Sequence, residues 1–172
     1  MVWLVEWSKT RLPWSILFLS AAGLVLSALY FQHVQDYLPC VKCIYQRTAV
    51  IGIAIAAALP MIYPHVVTRV FALVFWLYCA FEGFVVASEH IDVIFDDSMF
   101  VAPCPIAPNF PSLFPLHELL PAVFQGPGNC LDNSWQFLSL GMAEWMRIIF
   151  SGYFIVGSVV LGTYLIRFRN IK

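Results

Sequence analysis

Charged residues are scarce in this sequence. Only 11% of its 172 residues are Asp, Glu, Lys or Arg, and 61% are hydrophobic. Soluble domains have about 25% charged and roughly 45–50% apolar residues. A soluble chain of this length could not bury so much apolar surface, because its surface is large relative to its volume. The net charge of −1 also lacks the basic excess expected of a nucleic-acid-binding protein. The composition therefore predicts a membrane protein and argues against a nucleic-acid partner.

Four apolar runs predict membrane-spanning helices. A helix rises about 1.5 Å per residue, so a run of about 20 apolar residues crosses the hydrocarbon core of a bilayer. The runs are separated by a short polar loop, a tight turn and a long loop that is rich in Pro and Gly. We therefore expect one all-α transmembrane domain over residues 1–172. It is a four-helix bundle with spans at about 14–31, 43–63, 70–86 and 148–166.

The short loop, about 32–42, and the long loop, about 89–145, lie on the same side of this bundle. The long loop contains no Lys or Arg. By the positive-inside rule, both termini are expected in the cytoplasm and both loops on the periplasmic side of a bacterial inner membrane. The basic residues on the cytoplasmic side are Lys9, Arg11, Arg69, Arg167, Arg169 and Lys172.

Four of the five cysteines fall in or beside the two periplasmic loops. Cys40 and Cys43 have C-x-x-C spacing, and Cys104 and Cys130 belong to the long loop. The periplasm is oxidising, so disulfides persist there. Cys79 lies inside the third span, where we interpret it as a small buried hydrophobic residue.

The C-x-x-C pair admits a redox-active disulfide, a permanent structural disulfide or a metal site. A structural bridge closing so short a loop would gain little chain entropy. A second C-x-x-C is absent, as is a His directly after Cys43, which weakens the case for zinc and for c-type haem. If Cys43 opens a helix, Arg47 lies one turn further on the same face, and both the cation and the helix dipole stabilise a thiolate. Lys42 should lower the thiol pKa values further. These features favour redox chemistry.

Cys104 and Cys130 alone would more commonly mean a structural disulfide that staples a loop. However, Cys104 stands between Pro103 and Pro105, which keeps its backbone extended and accessible. The loop is also long enough to bring this pair over the first one, where thiolate attack on a disulfide could exchange electrons between them.

The sequence resembles the DsbB family of bacterial inner-membrane disulfide bond formation proteins over nearly its whole length. The resemblance covers the four spans, the cytoplasmic ends and the cysteines of both loops. Its most specific parts are the segments FQHV at 31–34, PCVKCIYQR at 39–47, WLY at 76–78, EH at 89–90 and GNC to Trp135 at 128–135.

This resemblance implies a relay of electrons through two cysteine pairs. A reduced DsbA-like periplasmic thiol oxidoreductase would attack a Cys104–Cys130 disulfide at Cys104. The reduced loop pair would then pass its electrons to a Cys40–Cys43 disulfide. The final acceptor would be a membrane quinone, either ubiquinone or menaquinone, dissolved in the membrane lipid.

The resemblance also implies three residues on the quinone side. Cys43 would donate to the quinone as a thiolate, and Arg47 would support that thiolate and polarise a quinone carbonyl. His90, just past the third span, would lie near the same ligand. An intramembrane Arg is costly without a function or a partner.

Other functions stay open at this point. A vitamin-K-epoxide-reductase-like enzyme also joins loop cysteines to a membrane C-x-x-C, but there the loop pair would precede that motif. A DsbB paralogue could serve one dedicated thiol partner. From a different class, the chain could be a non-enzymatic membrane protein with structural disulfides or a metal site.

Overall fold

The computed structural model describes residues 10–95, 104–105, 108–111 and 115–169. Residues 167–169 are described by their backbone alone. Among the basic residues used to orient the chain, Arg11 and Arg69 are described, and the side chains of Lys9, Arg167, Arg169 and Lys172 lie outside the described part, as does Pro103. The elements in chain order are α1 Leu12–Val34, α2 Val41–Ile62, α3 Val66–Phe95, α4 Leu116–Leu119, α5 Pro121–Phe124, β1 Gln136–Phe137, β2 Leu140–Gly141 and α6 Met142–Arg169.

Four of these helices are long and apolar enough to cross a membrane. They are α1, α2 and α3 over their full lengths, and α6 from Met142 to Ile166. The prediction of an all-α membrane protein with four spanning helices is confirmed. Helix α2 packs against α1 and α3, and α3 packs against α6.

Helix α3 continues to Phe95, beyond the expected end near Val86, so the long connection starts later than the predicted residue 89. The predicted span ends near Val86 because it was placed by apolar composition, and the charged residue Glu89 follows soon after. The helix goes on because Ala87, His90 and Ile94 keep helical spacing on one face. Ala87 and His90 are buried, and Ile94 lines the cavity described below.

Helix α6 begins at Met142, before the expected start near residue 148. Glu144 lies in its first turn and accepts a hydrogen bond from the backbone N–H of Gly141 at 2.7 Å. A carboxylate at this position satisfies a free amide and complements the positive end of the helix dipole.

Small residues let the helices approach closely, as is common where lipid supplies no hydrophobic driving force between them. Gly52 of α2 faces the sulfur of Cys79, and Gly83 of α3 faces the ring of Phe150 in α6. Alanines on the same surfaces are fully buried: Ala56, Ala57, Ala72, Ala80 and Ala87. Cys79 thus packs as a core residue, as interpreted from the sequence.

Replacing Gly83 with Ala should destabilise the bundle, because the added Cβ would overlap the fully buried ring of Phe150. Overpacking of this kind costs about 1–3 kcal/mol. The matched control is Gly23→Ala in α1, since a Cβ at Gly23 would meet no atom of the described residues within 4 Å. Thermal unfolding in detergent should show a lower midpoint for Gly83→Ala only. Equal midpoints for the two variants would contradict the close packing of α3 on α6.

Candidate functional site

The C-x-x-C motif forms the N-terminus of α2. Cys40 is the N-cap residue, with extended backbone, and its sulfur accepts a hydrogen bond from the backbone N–H of Cys43 at 3.4 Å. The helix therefore begins two residues before Cys43, which lies in its first turn. It starts there because the residue after Pro39 is extended and its side chain caps a free amide, the role that Ser or Asp usually fills.

Cys40 and Cys43 are free thiols whose sulfur atoms lie 3.3 Å apart. A disulfide bond is about 2.05 Å long, so a shift of little more than 1 Å would join them. Both sulfurs also sit at the positive end of the α2 dipole, which favours negative charge. The pair is thus arranged for reversible oxidation.

Cys104 and Cys130 form a disulfide, with their Cα atoms 6.2 Å apart. This is the pairing that the resemblance implied. Cys130 is only 1% exposed, whereas Cys104 is partly exposed. An incoming thiolate therefore has better access to the sulfur of Cys104.

The two cysteine pairs meet at His90 of α3. The Sγ atoms of Cys40 and Cys130 and a ring nitrogen of His90 all lie within 4.8 Å of one another. Nε2 of His90 lies 3.6 Å from the Cys40 sulfur and 3.3 Å from the carbonyl oxygen of Cys130. Such a cluster could hold zinc only with Cys130 as a thiolate, and here that sulfur is bonded to Cys104. The geometry suits exchange between the pairs.

Gln46 completes this cluster, although nothing in the sequence analysis assigned it a role. Its side chain is 2% exposed, and its amide donates to Nδ1 of His90 at 3.4 Å. Cys43, Gln46, Arg47 and Val50 have the i, i+3, i+4, i+7 spacing of one helix face, and all four line the same cavity. That spacing is the signal that could have found Gln46.

Arg47 lies on the same helix face as Cys43, as the spacing predicted. It is 6% exposed. Its guanidinium donates to the side-chain oxygen of Gln32 at 2.7 Å and to the carbonyl oxygen of Val123. Both acceptors are neutral. Its Nε is buried and has no hydrogen-bond partner among the described residues.

Three side chains of the α1–α2 region hold helix α5 over the site. The side-chain amide of Gln32 donates to the carbonyl oxygen of Ala122 at 3.2 Å, and Nε2 of His33 lies 2.9 Å from the same oxygen. The guanidinium of Arg47 donates to the next carbonyl oxygen, that of Val123. We call these contacts the α5 latch. The sequence analysis assigned no role to Gln32 or His33.

A cavity of about 120 Å³ opens beside Cys43, between α1 and α2 and under the residues that follow Cys130. Its α1 wall is apolar and consists of Leu24, Val25, Ala28 and Phe31. Arg47, Gln46 and His90 supply polar groups. The residues predicted on the quinone side, Cys43, Arg47 and His90, thus share one cavity, and Cys40 lines it as well.

The Cys40 thiol is strongly acidic. Its hydrogen bond with the Cys43 side chain lowers its pKa, burial raises it, and His90 lowers it again, with a net value of about 4. Lys42 is not the cause, contrary to the sequence-based expectation. Its ammonium forms an ion pair with Glu89 of α3, so its charge is compensated. This environment favours the thiolate form of Cys40.

Comparison with known proteins gives a consistent result. The family model for "Disulfide bond formation protein DsbB" matches residues 10–160. The disulfide bond formation protein B of Idiomarina loihiensis is 43% identical over 162 residues, which cover 94% of this chain and 90% of that protein. The protein of the same name from Pseudoalteromonas atlantica is 42% identical over 171 residues, covering 99% of this chain and all of that protein.

The ultraviolet absorbance of the thiolate should reveal the acidity of Cys40. In the reduced protein, the difference in absorbance between wild type and Cys40→Ser should persist from about pH 8 down to about pH 5, because a thiolate is protonated only below its pKa. It should disappear as the pH falls through about 4. In the unfolded protein the same difference should disappear near the ordinary thiol pKa of about 8.5. A folded-state midpoint at that ordinary value would contradict the assigned environment.

Proposed function

Because the chain belongs to the DsbB family of disulfide bond formation proteins, we propose that it reoxidises a periplasmic dithiol protein and passes the electrons to a membrane quinone. The enzyme is a multi-pass inner-membrane oxidoreductase that forms disulfide bonds. We propose four further points: that a quinone is the electron acceptor, that a DsbA-like protein is the thiol partner, which residues act in each step, and that the cysteines lie on the periplasmic side.

One observation supports this function most strongly. The Cys104–Cys130 disulfide, the Cys40–Cys43 pair and an apolar cavity lie next to one another. The first two meet within 4.8 Å at Cys40 and Cys130, and Cys43 lines the cavity. This continuity provides a short path for electrons from an exposed sulfur to a lipid-soluble acceptor.

The cysteine loops belong on the periplasmic side in this proposal. Contact between Cys40 and Cys130 is consistent with both connections lying on one side of the bundle. Arg11 precedes α1 and Arg69 lies near the start of α3, both at the opposite end. The positive-inside rule favours the cytoplasm for that end.

The first step is oxidation of the partner. A partner thiolate attacks Sγ of Cys104, the Cys104–Cys130 bond breaks, and Cys130 leaves as a thiolate. The second partner thiolate then attacks its own mixed-disulfide sulfur, which releases Cys104 as a thiolate and leaves the partner oxidised. The exposure of Cys104 and the burial of Cys130 support this order of attack.

The second step moves the two electrons to the C-x-x-C pair. The Cys130 thiolate attacks Cys40 of a Cys40–Cys43 disulfide, forming a Cys40–Cys130 bond and releasing Cys43. Cys104 then attacks Cys130 and releases Cys40. A thiol of low pKa is a good leaving group, and Cys40 has a pKa of about 4. The products, an oxidised loop pair and two free thiols, correspond to the observed arrangement.

The cavity suits a quinone headgroup. A dry protein cavity of about 150 Å³ accommodates a whole benzene ring. The present cavity of about 120 Å³ is smaller but partly open and has an apolar wall toward α1, so it would admit the carbonyl edge of a quinone ring. The buried Nε of Arg47 lacks an acceptor among the described residues, and a carbonyl oxygen would supply one. Re-formation of the Cys40–Cys43 bond releases two electrons and two protons, which would balance the reduction of a bound quinone to the quinol. Cys43 faces the cavity and Arg47 orients the carbonyl.

The direct test is turnover of the purified enzyme. With a reduced DsbA-like partner and either ubiquinone or menaquinone, loss of partner thiols should match quinone reduction one disulfide to one quinone. A partner that stays reduced while quinone is available would refute the proposal. Exchange of partner proteins in the same assay would identify a paralogue dedicated to one partner.

Arg47→Ala should raise the apparent KM for quinone about tenfold to a hundredfold, because a hydrogen bond from a charged donor is worth about 1.5–3 kcal/mol. Oxidation of the partner by the loop disulfide should change little. The control is Arg147→Ala, since the exposed Arg147 is outside the cavity lining. An unchanged quinone KM in Arg47→Ala would remove Arg47 from the site.

When mixed with the oxidised partner, the lone Cys104 thiolate of Cys130→Ser should attack the partner disulfide and accumulate a mixed disulfide with one partner cysteine, releasing the other as a thiolate. It accumulates because Cys130, whose attack on Cys104 would release the partner, is missing. Cys104→Ser should trap no partner, since Cys130 is buried. Non-reducing electrophoresis after acid quenching measures both. A complex that forms only with Cys104→Ser would reverse the assignment.

A further inference from the structure

We propose that Gln46 is a positioning residue: it keeps the proton of His90 on Nε2, so that one N–H joins the Cys40 sulfur to the Cys130 carbonyl. This link holds the two cysteine pairs at exchange distance. The inference rests on the proposed function, because it concerns the transfer between those pairs.

The acceptors around His90 determine its tautomer. A carbonyl oxygen can only accept a hydrogen bond, so the 3.3 Å contact between Nε2 and the oxygen of Cys130 favours a proton on Nε2. In a neutral imidazole Nδ1 is then an acceptor. The amide N–H of Gln46 lies 3.4 Å from Nδ1 and is a donor. Both sides of the ring thus require the same tautomer.

The Nε2–H also faces the sulfur of Cys40 at 3.6 Å. Because sulfur hydrogen bonds are long and a thiolate is a good acceptor, the single N–H is shared between the sulfur and the Cys130 carbonyl. The opposite tautomer would leave two acceptors, Nε2 and the carbonyl oxygen, facing each other. It would also withdraw a donor from Cys40 when that sulfur becomes a leaving group.

Burial makes this arrangement costly to disturb. Gln46, His90, Cys40 and Cys130 are each no more than 4% exposed, so water cannot readily replace a lost hydrogen bond. The link also crosses three parts of the chain: Gln46 and Cys40 belong to the α2 end, His90 to α3 and Cys130 to the long connection.

Other charged groups near the cluster have partners of their own. Lys42 is paired with Glu89, and Arg47 donates to Gln32 and Val123. The described hydrogen-bond partners of His90 are the Gln46 amide, the Cys40 sulfur and the Cys130 carbonyl. Among these partners, Gln46 is the one that faces Nδ1, so it reinforces the tautomer that the Cys130 carbonyl favours.

Nitrogen NMR of histidine-labelled protein in detergent tests the tautomer directly, with His90→Ala used to assign the signal. Wild type at neutral pH should show a protonated Nε2 and a bare Nδ1. Gln46→Glu should protonate Nδ1, because a carboxylate can only accept. Gln46→Leu should yield a mixture of tautomers. A protonated Nδ1 in wild type, or a signal that neither substitution changes, would overturn the proposal.

A single-turnover experiment without quinone tests the effect on transfer. Fully oxidised enzyme is mixed with reduced DsbA-like partner, quenched with acid and analysed for each disulfide by mass spectrometry. Gln46→Leu should slow reduction of the Cys40–Cys43 bond about tenfold, the value of one hydrogen bond, and leave reduction of the Cys104–Cys130 bond unchanged. An unchanged second step, or equal slowing of both steps, would overturn the assignment.

The two proposals can fail separately. Transfer between the pairs and the tautomer are measured without quinone, so a wild-type enzyme that exchanges disulfides but never reduces a quinone would refute the proposed acceptor alone. If Gln46→Leu does not fold, as judged by its thermal midpoint, the NMR signature of wild type and Gln46→Glu still decides the matter.

Discussion

The contact among Cys40, His90 and Cys130 is the constraint on which the rest of the site depends. Three side chains from distant parts of the sequence bring their reactive atoms within 4.8 Å in a buried place. Burial normally disfavours a thiolate, and here hydrogen bonds from Cys43 and His90 outweigh it. The fold therefore has to hold α2, α3 and the long connection in one fixed relation. The extension of α3 to Phe95 serves this purpose, because it carries His90 to the C-x-x-C motif.

The location of the site explains its composition. Cys104 is partly exposed, Cys130 and Cys40 are buried, and Cys43 borders an apolar cavity. Exposure to water thus falls from Cys104 to the buried Cys130 and Cys40, and Cys43 adjoins the cavity with the apolar α1 wall. The proposed function, which passes electrons from a protein thiol in water to a quinone in lipid, needs such a change of surroundings over a few ångströms. The small residues of the bundle core supply a rigid support for it.

Some of this could be predicted from the sequence, for physical reasons that differ between elements. A spanning helix depends on the local composition of about 20 residues, and the i, i+4 relation of Cys43 and Arg47 is inherent in any helix. The end of α3 was misplaced because Glu89 and Asp92 interrupt the apolar run without interrupting the helix. The pairing of Lys42 with Glu89 and of Gln46 with His90 depends on how α2 packs on α3. Neither contact has a local signal.

The α5 latch has a thermodynamic consequence. Arg47 donates to the Val123 carbonyl and also lines the cavity beside Cys43. A single guanidinium therefore both holds helix α5 in place and contacts whatever occupies the cavity. If a molecule that enters the cavity accepts hydrogen bonds from the Arg47 N–H groups that now bind Val123, it loosens α5. By reciprocity, a loosened α5 changes the affinity of the cavity for that molecule by the same factor. Binding of a soluble protein to the connection that contains α5 and binding of an apolar molecule in the cavity would then be linked equilibria.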